Sequence, residues 1–497
     1  MYIIHVTSEL APIAKVGGLG DMIQGLGKAL IKEGEQVEVI LPFYDTIDKN
    51  KLKNLKVEIE NLPSYENMGE CLSTIWSAEV DGLPVTLIDP HHKKCFFKRG
   101  KIYGEKDDAE RFIYFARATL EYLLKAKKAP DILNLHDWLT ALCAPLYKEV
   151  YQSLGLSIKK IVTTIHNMQY QGACNPKYLT SIGLNPDMLL TEDKLQDHKK
   201  PERINLLKGA LNYSDFLTTV SPNYAEEIKD KEGYGLGPLL VKHTSKFKGI
   251  LNGIDTGYWD PSTDPFLEKN YHSDSNQITE MLEAKKVNRK HLSKQVGIEN
   301  DKVPLFSVVT RLVKQKGPEL IAHGLEYILK KGGQFILLGT PYETDVKAEF
   351  YALRDEYRDN PHIHFHFEYD EKLAHQTYGA SDFILIPSLF EPCGLTQMIS
   401  LRYGTIPIVH KVGGLKDTIF DIDHDETSIQ KRNGYTFDFP SKDSLSWSID
   451  RAFEHFKHDE NKRFTILKNG LSHDWSWKTS ALAYLELYHV IIAKSGR

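Results

Sequence analysis

The stretch ILIPSLFEPCGLTQMISLRYGTIPIVHKVGGLKD, from Ile384 to Asp417, decides the fold. Two short apolar runs, Phe383–Pro387 and Ile406–Val409, are each followed by a glycine-bearing loop and then by residues with helical spacing. A run that is apolar at every position marks a strand covered on both faces, the condition of a parallel sheet. Ligands of open α/β sheets collect beyond the carboxyl ends of the strands, so Glu391-Pro392-Cys393-Gly394 and Lys411-Val412-Gly413-Gly414 are expected to form one pocket wall. Gly413 and Gly414 are expected to let the backbone approach a ligand closely, and the helix they open offers N–H groups to an anion.

KVGGLKD at Lys411–Asp417 has an echo near the other end of the chain, KVGGLGD at Lys15–Asp21, which differs only in having Gly20 where the later copy has Lys416. One glycine pair between a strand and a helix is ordinary turn chemistry. Two copies suggest two related walls facing one cleft.

A chain of 497 residues exceeds one ordinary core, taking about 150 residues per domain, and two large α/β domains fit best. The composition, 41% hydrophobic and 26% charged, is that of a globular protein, and a net charge of −5 gives no electrostatic case for nucleic acid. Five cysteines with no C-x-x-C spacing read as reduced thiols. The first apolar run, Tyr2–Val6, is too short for a signal segment, and no later run approaches the roughly 18 apolar residues of a membrane span, so no membrane association and a cytoplasmic location are expected. Oligomeric state leaves no mark on the sequence.

In the first half, strands are expected at Ile3–Val6, Val37–Leu41, Ile132–Leu135, Ile161–Ile165, Asp215–Val220 and Gly249–Leu251, with helices at Met22–Lys32 and Asp108–Ala126. Between Lys49 and Lys106 the pattern is looser, as in a mobile insertion of short strands near a binding cleft. The strand ends His136-Asp137-Trp138 and His166-Asn167 are polar, and both face the cleft if the sheet is parallel. Asn252-Gly253-Ile254-Asp255 is a strong turn signal at which the chain leaves the first domain. The βα alternation then restarts, with strands at Leu305–Val309, Phe335–Leu338 and Ile363–Phe367. The expected domains are 1–255, 256–475 and a C-terminal helix, 476–497, that packs back on the first. Arg311 and Lys316, beside a helix beginning near Gly317, could converge on one phosphate group; a solvated basic loop is the alternative.

The motifs KVGGLGD at Lys15, LHDW at Leu135, TIHNMQYQG at Thr164, NGID at Asn252, SVVTRLVKQKG at Ser307 and PSLFEPCGLTQ at Pro387, with KVGGLKD, occur in this order along nearly the whole chain. The chain thereby resembles the bacterial glycogen synthases and plant-type starch synthases, retaining glycosyltransferases of the GT-B fold. The resemblance implies two Rossmann-like doubly wound parallel-sheet domains facing across a cleft. It also implies a nucleotide-glucose donor and an α-1,4-glucan acceptor extended at its nonreducing end; ADP-glucose is favoured, with UDP-glucose left open because stacking on Tyr369 tolerates either base, and no cofactor or metal is expected. Carried over by motif, Lys15 and Gly18 meet the donor from the first domain, with Asp21 supporting their loop and Asn252 near the substrate. Asp137, His166 and Asn167 line the glucose and acceptor site, and Tyr103 is placed at the sugar across a small gap in the match. In the second domain Arg311 and Lys316 grip the diphosphate, Tyr369 lies against the nucleobase, and Glu391 with the turn Cys393, Gly394, Leu395 and Thr396 holds the transferred glucose. Glu391 is expected in a ligand-facing loop with little core packing. Relatives with a second glutamate eight residues on have Ile399 at that position here.

Such chemistry needs these residue types. A glucosyl group leaving a diphosphate builds negative charge on phosphate, which cations and N–H donors stabilise, and the departing phosphate itself can take the acceptor's proton. The alternating His362, His364 and His366 share one strand face and read as a polar face rather than a metal site. Asp421-Ile422-Asp423 reads as a solvated acidic loop, and Trp475 and Trp477 as packing of the last helices. A nicotinamide dehydrogenase lacks its G-x-G-x-x-G here, a phosphorylase-like relative lacks a pyridoxal-phosphate lysine motif, and a noncatalytic glucan-binding protein would not need Lys15, Arg311, Lys316 and Glu391.

Overall fold

The computed structural model describes residues 1–66, 69–299 and 302–494. The chain divides into two compact units, Met1–Gly253 together with Trp477–Arg497, and Ile254–Ser476. Of the expected mobile insertion and the expected C-terminal helix, residues 67–68 and 495–497 lie outside the described part.

The first unit is built on a nine-stranded sheet. Its chain begins with β1 (Tyr2–Val6), α1 (Gly18–Lys32), β2 (Gln36–Pro42), β3 (Lys53–Glu66), β4 (Gly69–Val80), β5 (Leu83–Pro90), α2 (Asp108–Lys125), β6 (Ile132–His136) and β7 (Lys160–Ile165). The sheet order is Phe247–Gly249, Phe216–Thr219, β7, β6, β1, β2, β5, β4, β3. Strands from Phe247–Gly249 through β5 run parallel, and β4 is antiparallel to both its neighbours. Ile3, Ile4 and Val6 are fully buried, as a central strand covered on both faces requires.

Residues 49–106 correct the expectation of short strands. β3 and β4 are long strands of 14 and 12 residues that extend the sheet. Antiparallel strands tolerate one wet face, so the Lys and Glu of β3 read as loop, and its register shifts blur the alternation further. The expected strand Gly249–Leu251 also lies earlier, at Phe247–Gly249. A Cβ on Gly249 would stand 2.2 Å from the Ser221 carbonyl oxygen, so this glycine is demanded by a backbone crossing at the strand's end.

The helix Trp477–Ala493 belongs to the first unit, with Trp477, Tyr484 and Tyr488 in its core. Gly25 of α1 is where it docks: a Cβ there would meet the Trp477 indole at 1.9 Å. Tyr488 takes a hydrogen bond from the Asn134 amide at 3.3 Å, and Ser480 donates to the Leu251 carbonyl at 2.5 Å.

The second unit holds a six-stranded, wholly parallel sheet in the order Ile363–His366, Gln334–Leu338, Leu305–Val309, Phe383–Ile386, Ile406–His410, Tyr435–Phe437. Outside this sheet, Ile254 donates to the Trp475 carbonyl at 2.8 Å, so the segments entering and leaving the unit lie side by side. Both sheets are doubly wound, and each has a point where successive strands depart in opposite directions. In the first unit it falls between β1 and β6, in the second between Leu305–Val309 and Phe383–Ile386. Loops that leave such strands diverge and open a crevice, bordered in the first unit by the loops after β1 and β6 and in the second by those of Lys316 and Glu391.

Candidate functional site

In the first unit, the loop after β1 is organised by Glu9, a residue that no motif singled out. Its carboxylate is buried, Oε2 accepts the backbone N–H groups of Val16 and Gly17 at 2.7 and 2.8 Å, and Oε1 accepts the Tyr103 hydroxyl at 2.8 Å. One carboxylate therefore ties the KVGGLGD segment to Tyr103 from the FFKRGKIYG segment. The helix begins at Gly18, earlier than expected, so Gly18 and Asp21 lie in its first turn, and Gly17 caps it without a side-chain bond. Lys15 pairs with Asp21 at 2.7 Å, both partly exposed. A Cβ on Gly17 would meet nothing within 4 Å, which leaves this side of the helix N-terminus open.

At the end of β6, Asp137 takes a left-handed backbone, φ 58, which turns its side chain back over the neighbouring strand end. Its Oδ1 accepts the N–H groups of His166 at 2.7 Å and Asn167 at 3.4 Å. Burial pushes the carboxyl up to about 7, the two N–H bonds oppose that, and the Glu9 charge adds to it. The residue as a whole is partly exposed, so solvent screens part of the shift. His166 is partly exposed, and its Nε2 lies 3.0 Å from Nδ1 of the buried His136. Burial lowers the His166 ring to about 3, so it is neutral across the ordinary pH range. Asn252 is buried, and its Oδ1 has no partner among the described residues.

In the second unit, Gly317 takes φ 66 and caps the helix Pro318–Lys330. A Cβ there would come within 2.3 Å of the Pro387 carbonyl oxygen, so glycine lets the loop of Lys316 pass across the end of the neighbouring strand. Gln315 and Leu389 complete the crossing with a 2.8 Å backbone bond. Lys316 and Glu391 thereby meet in an ion pair, and Ser388 donates to the same Glu391 oxygen at 2.9 Å. Glu391 is only 6% exposed, which corrects the expectation of a loop side chain with little packing. It is buried because Ser388, Lys316 and the Gly414 N–H, 3.0 Å from its carbonyl oxygen, close around it. Arg311 and Tyr369 are exposed, Tyr369 at 82%. The turn Cys393–Thr396 is held by Gln397, whose amide donates to the Cys393 and Gly394 carbonyls at 3.1 and 2.9 Å; Gly394 has φ 75.

The two KVGGL copies do different work. A Cβ on Gly414 would lie 2.2 Å from the Cys393 carbonyl oxygen, so this glycine is spent on packing one loop against another rather than on closeness to a ligand. Lys411 pairs with Asp425 at 3.4 Å instead of within its own loop.

The acidic loop at Asp421 is corrected too. Asp421 is 2% exposed, accepts both Arg451 amino groups at 2.8 Å and takes the Thr436 N–H at 2.7 Å. Asp421, Asp423 and His424 bring ligand-type atoms within 4.8 Å of one another, but Arg451 and Lys462 already bind the two carboxylates. Trp475 and Trp477 are both buried in packing. No helix among the described residues is long and apolar enough to cross a membrane.

Residues 2–242 match the model of the starch synthase catalytic domain, and residues 289–465 that of glycosyl transferases group 1. A glycogen synthase of Protochlamydia amoebophila is 46% identical over all of both chains. The chain belongs to the glycogen and starch synthase family. A probable starch synthase 4 of Arabidopsis thaliana is 45% identical over 98% of this chain and 47% of its own length. The solved catalytic domain of starch synthase IV from Arabidopsis thaliana, bound to ADP and acarbose, superposes with a TM-score of 0.94 at 44% identity, covering 99% of each chain. Like other members of this family, the chain is a glucosyltransferase of the GT-B fold that uses a nucleotide-glucose donor and a glucan acceptor.

Proposed function

We propose that the chain transfers glucose from ADP-glucose to the nonreducing end of an α-1,4-glucan with retention of configuration, working in the cytoplasm. The observation that carries this reading is the Lys316–Glu391 pair at the strand switch of the second sheet, beside the open start of the helix Pro318–Lys330. A diphosphate placed there competes with Glu391 for Lys316, and Arg311, exposed on the same loop, supplies a second cation. The released Glu391 carboxylate and the backbone of Cys393–Thr396 then face the glucosyl ring, and Tyr369 offers an exposed ring for the adenine. ADP rather than UDP is supported by the starch synthase IV relative, which binds ADP.

The bond from glucose C1 to the β-phosphate oxygen breaks with charge building on that oxygen, where Lys316 and Arg311 stabilise it. The acceptor hydroxyl attacks C1 from the same face, and its proton passes to the departing phosphate, so no second side-chain acid is required. Lys15 is assigned to the diphosphate and Asp137, His166, Asn167 and Tyr103 to the sugars. Asp21 acts indirectly, by holding Lys15, and Gly18 and Asn252 through the backbone of the site.

Initial rates with ADP-glucose and with UDP-glucose on a glycogen primer, and the anomeric configuration of the new linkage by NMR, test the proposal. Faster turnover of ADP-glucose into α-linked product is expected. Preference for UDP-glucose, or a β-linked product, overturns it.

A further inference from the structure

Three histidines on or just beyond adjacent parallel strands of the first sheet touch in series. His5 lies on β1, His136 at the end of β6, and His166 just past the end of β7. Strand register places His5 opposite Asn134 and His136 opposite Thr164, so each imidazole reaches the next across one strand spacing. His5 Nδ1 is 2.9 Å from His136 Nε2, and His136 Nδ1 is 3.0 Å from His166 Nε2. His5 and His136 are fully buried, and His166 is partly exposed at the site end.

A neutral imidazole carries one N–H and one lone pair, so the three rings act as a unit with two permitted registers. In the first, His5 Nδ1–H donates to His136, His136 Nδ1–H donates to His166 Nε2, and His166 turns an Nδ1–H outward. In the second every proton sits on Nε2, and His166 turns a lone pair outward. The inner end decides between them. His5 Nε2 is buried and has no hydrogen-bond partner among the described residues. The second register would bury an unpaired N–H there, whereas the first leaves only an unpaired acceptor, the smaller penalty. The second register gains one contact in return, from the Asn134 amide to His5 Nδ1 at 3.4 Å. That amide already has the Tyr488 hydroxyl at 3.3 Å, and its orientation is set by Thr164, which donates to Asn134 Oδ1 at 3.1 Å. The shorter 2.9 Å contact to His136 is the stronger competitor for His5 Nδ1.

We infer that His5 and His136 are positioning residues that lock His166 as the Nδ1–H tautomer, so that His166 serves the reaction as a neutral hydrogen-bond donor to an oxygen of the sugar and not as a base. Burial lowers all three rings, His5 to about 4, which keeps the series uncharged. A donor whose direction is fixed in advance costs no reorganisation when the sugar ring takes on charge. The inference deepens the glucosyl-transfer reading and rests on it for the identity of the sugar.

The test uses the full chain labelled with 13C and 15N histidine, with the His166 signals assigned by their loss in His166→Gln. An Nδ1–H tautomer for His166 between pH 6 and 8 is expected; an Nε2–H tautomer, or a titration in that range, overturns the inference. A second arm compares His136→Asn with His136→Leu. The Asn amide can place an N–H where Nδ1–H stood, so it is expected to keep kcat within a few-fold, while Leu lowers kcat by about tenfold with little change in donor KM. Equal losses in the two variants make His136 a packing residue and overturn its positioning role. A chain that transfers no glucose but holds His166 as Nδ1–H sinks the transferase reading and leaves the tautomer standing.

Discussion

Tyr103 and Glu9 are joined by a 2.8 Å hydrogen bond in which the phenol donates to one carboxylate oxygen while the other oxygen holds the Val16 and Gly17 N–H groups. A side chain far along the chain is thus coupled to the loop of Lys15 through a single buried acid.

Glu9→Ala removes three hydrogen bonds to a carboxylate acceptor, and the two backbone donors thereby lose their only partner among the described residues. The loss of about 1.5–3 kcal/mol per charged contact is partly recovered by water. We expect kcat at least tenfold lower and a melting temperature reduced by several degrees. Tyr103→Phe should cost less, and the double variant should lose less than the sum of the two, since they share one network. Strict additivity in both kcat and melting temperature would show that Tyr103 and Glu9 act separately.

The Lys316–Glu391 pair has side-chain exposures of 18% and 8%, and removing one partner of a pair this enclosed leaves a charge in poor solvent. Lys316→Ala strands the more deeply buried Glu391, so it should cost about 2–3 kcal/mol of stability and most of the turnover. Glu391→Ala leaves Lys316, which can swing toward water, and should cost less in stability while still abolishing most turnover. The double variant should be more stable than Lys316→Ala alone. Urea unfolding of the three proteins measures this; a double variant less stable than both singles contradicts the argument.

The alternation of strand and helix was readable because parallel strands are apolar on both faces. Leu305–Val309 falls where its five apolar and small residues place it, and the ends of β6 and β7 announce themselves by a switch to His-Asp and His-Asn. The motif residues around Glu391 and Lys316 were likewise visible, since glycines such as Gly317 and Gly394 punctuate their turns. Glu9 was not, because SELAP has no periodicity or spacing that distinguishes a buried anchor from a surface acid. Nor was the pairing of Asp421 with Arg451, whose partners are 30 residues apart in sequence and meet only in the folded unit. The β3–β4 extension is hidden in the sequence for a different reason: its wet face carries the charges expected of a loop.

Lys285 provides a pH test of the fold. Its ammonium is buried among the carbonyls of Tyr378 and Tyr403 and the Thr405 hydroxyl at 2.9–3.0 Å, with no carboxylate in contact among the described residues, and burial lowers it from 10.5 to about 7. Between pH 7 and 10.5 the unfolded chain holds this proton and the folded chain has released it, so the unfolded state binds more protons and stability rises with pH. Below pH 7 both forms are charged and the penalty is constant. Stability in urea should therefore increase by about 2 kcal/mol from pH 7 to pH 9 relative to Lys285→Met, in which this slope is absent. Parallel pH profiles for the two proteins would show that the buried amine stays charged.

Lys15 tests where binding energy is used. Its bond to Asp21 joins side chains that are 44% and 33% exposed, and a solvated pair of this kind contributes at most about 1 kcal/mol, so a phosphate can draw Lys15 away at little cost. If the contact forms fully only as charge builds on the leaving diphosphate, it is differential binding and appears in kcat. Lys15→Ala should lower kcat at least tenfold, change the dissociation constant for ADP severalfold at most, and leave the melting temperature within about a degree. Asp21→Ala, which frees Lys15 without removing it, should reduce kcat far less. Steady-state kinetics at saturating donor and calorimetric titration with ADP separate the cases: a Lys15→Ala protein that binds ADP much more weakly yet keeps its kcat would make Lys15 a static part of the nucleotide site, with no special role in the transition state.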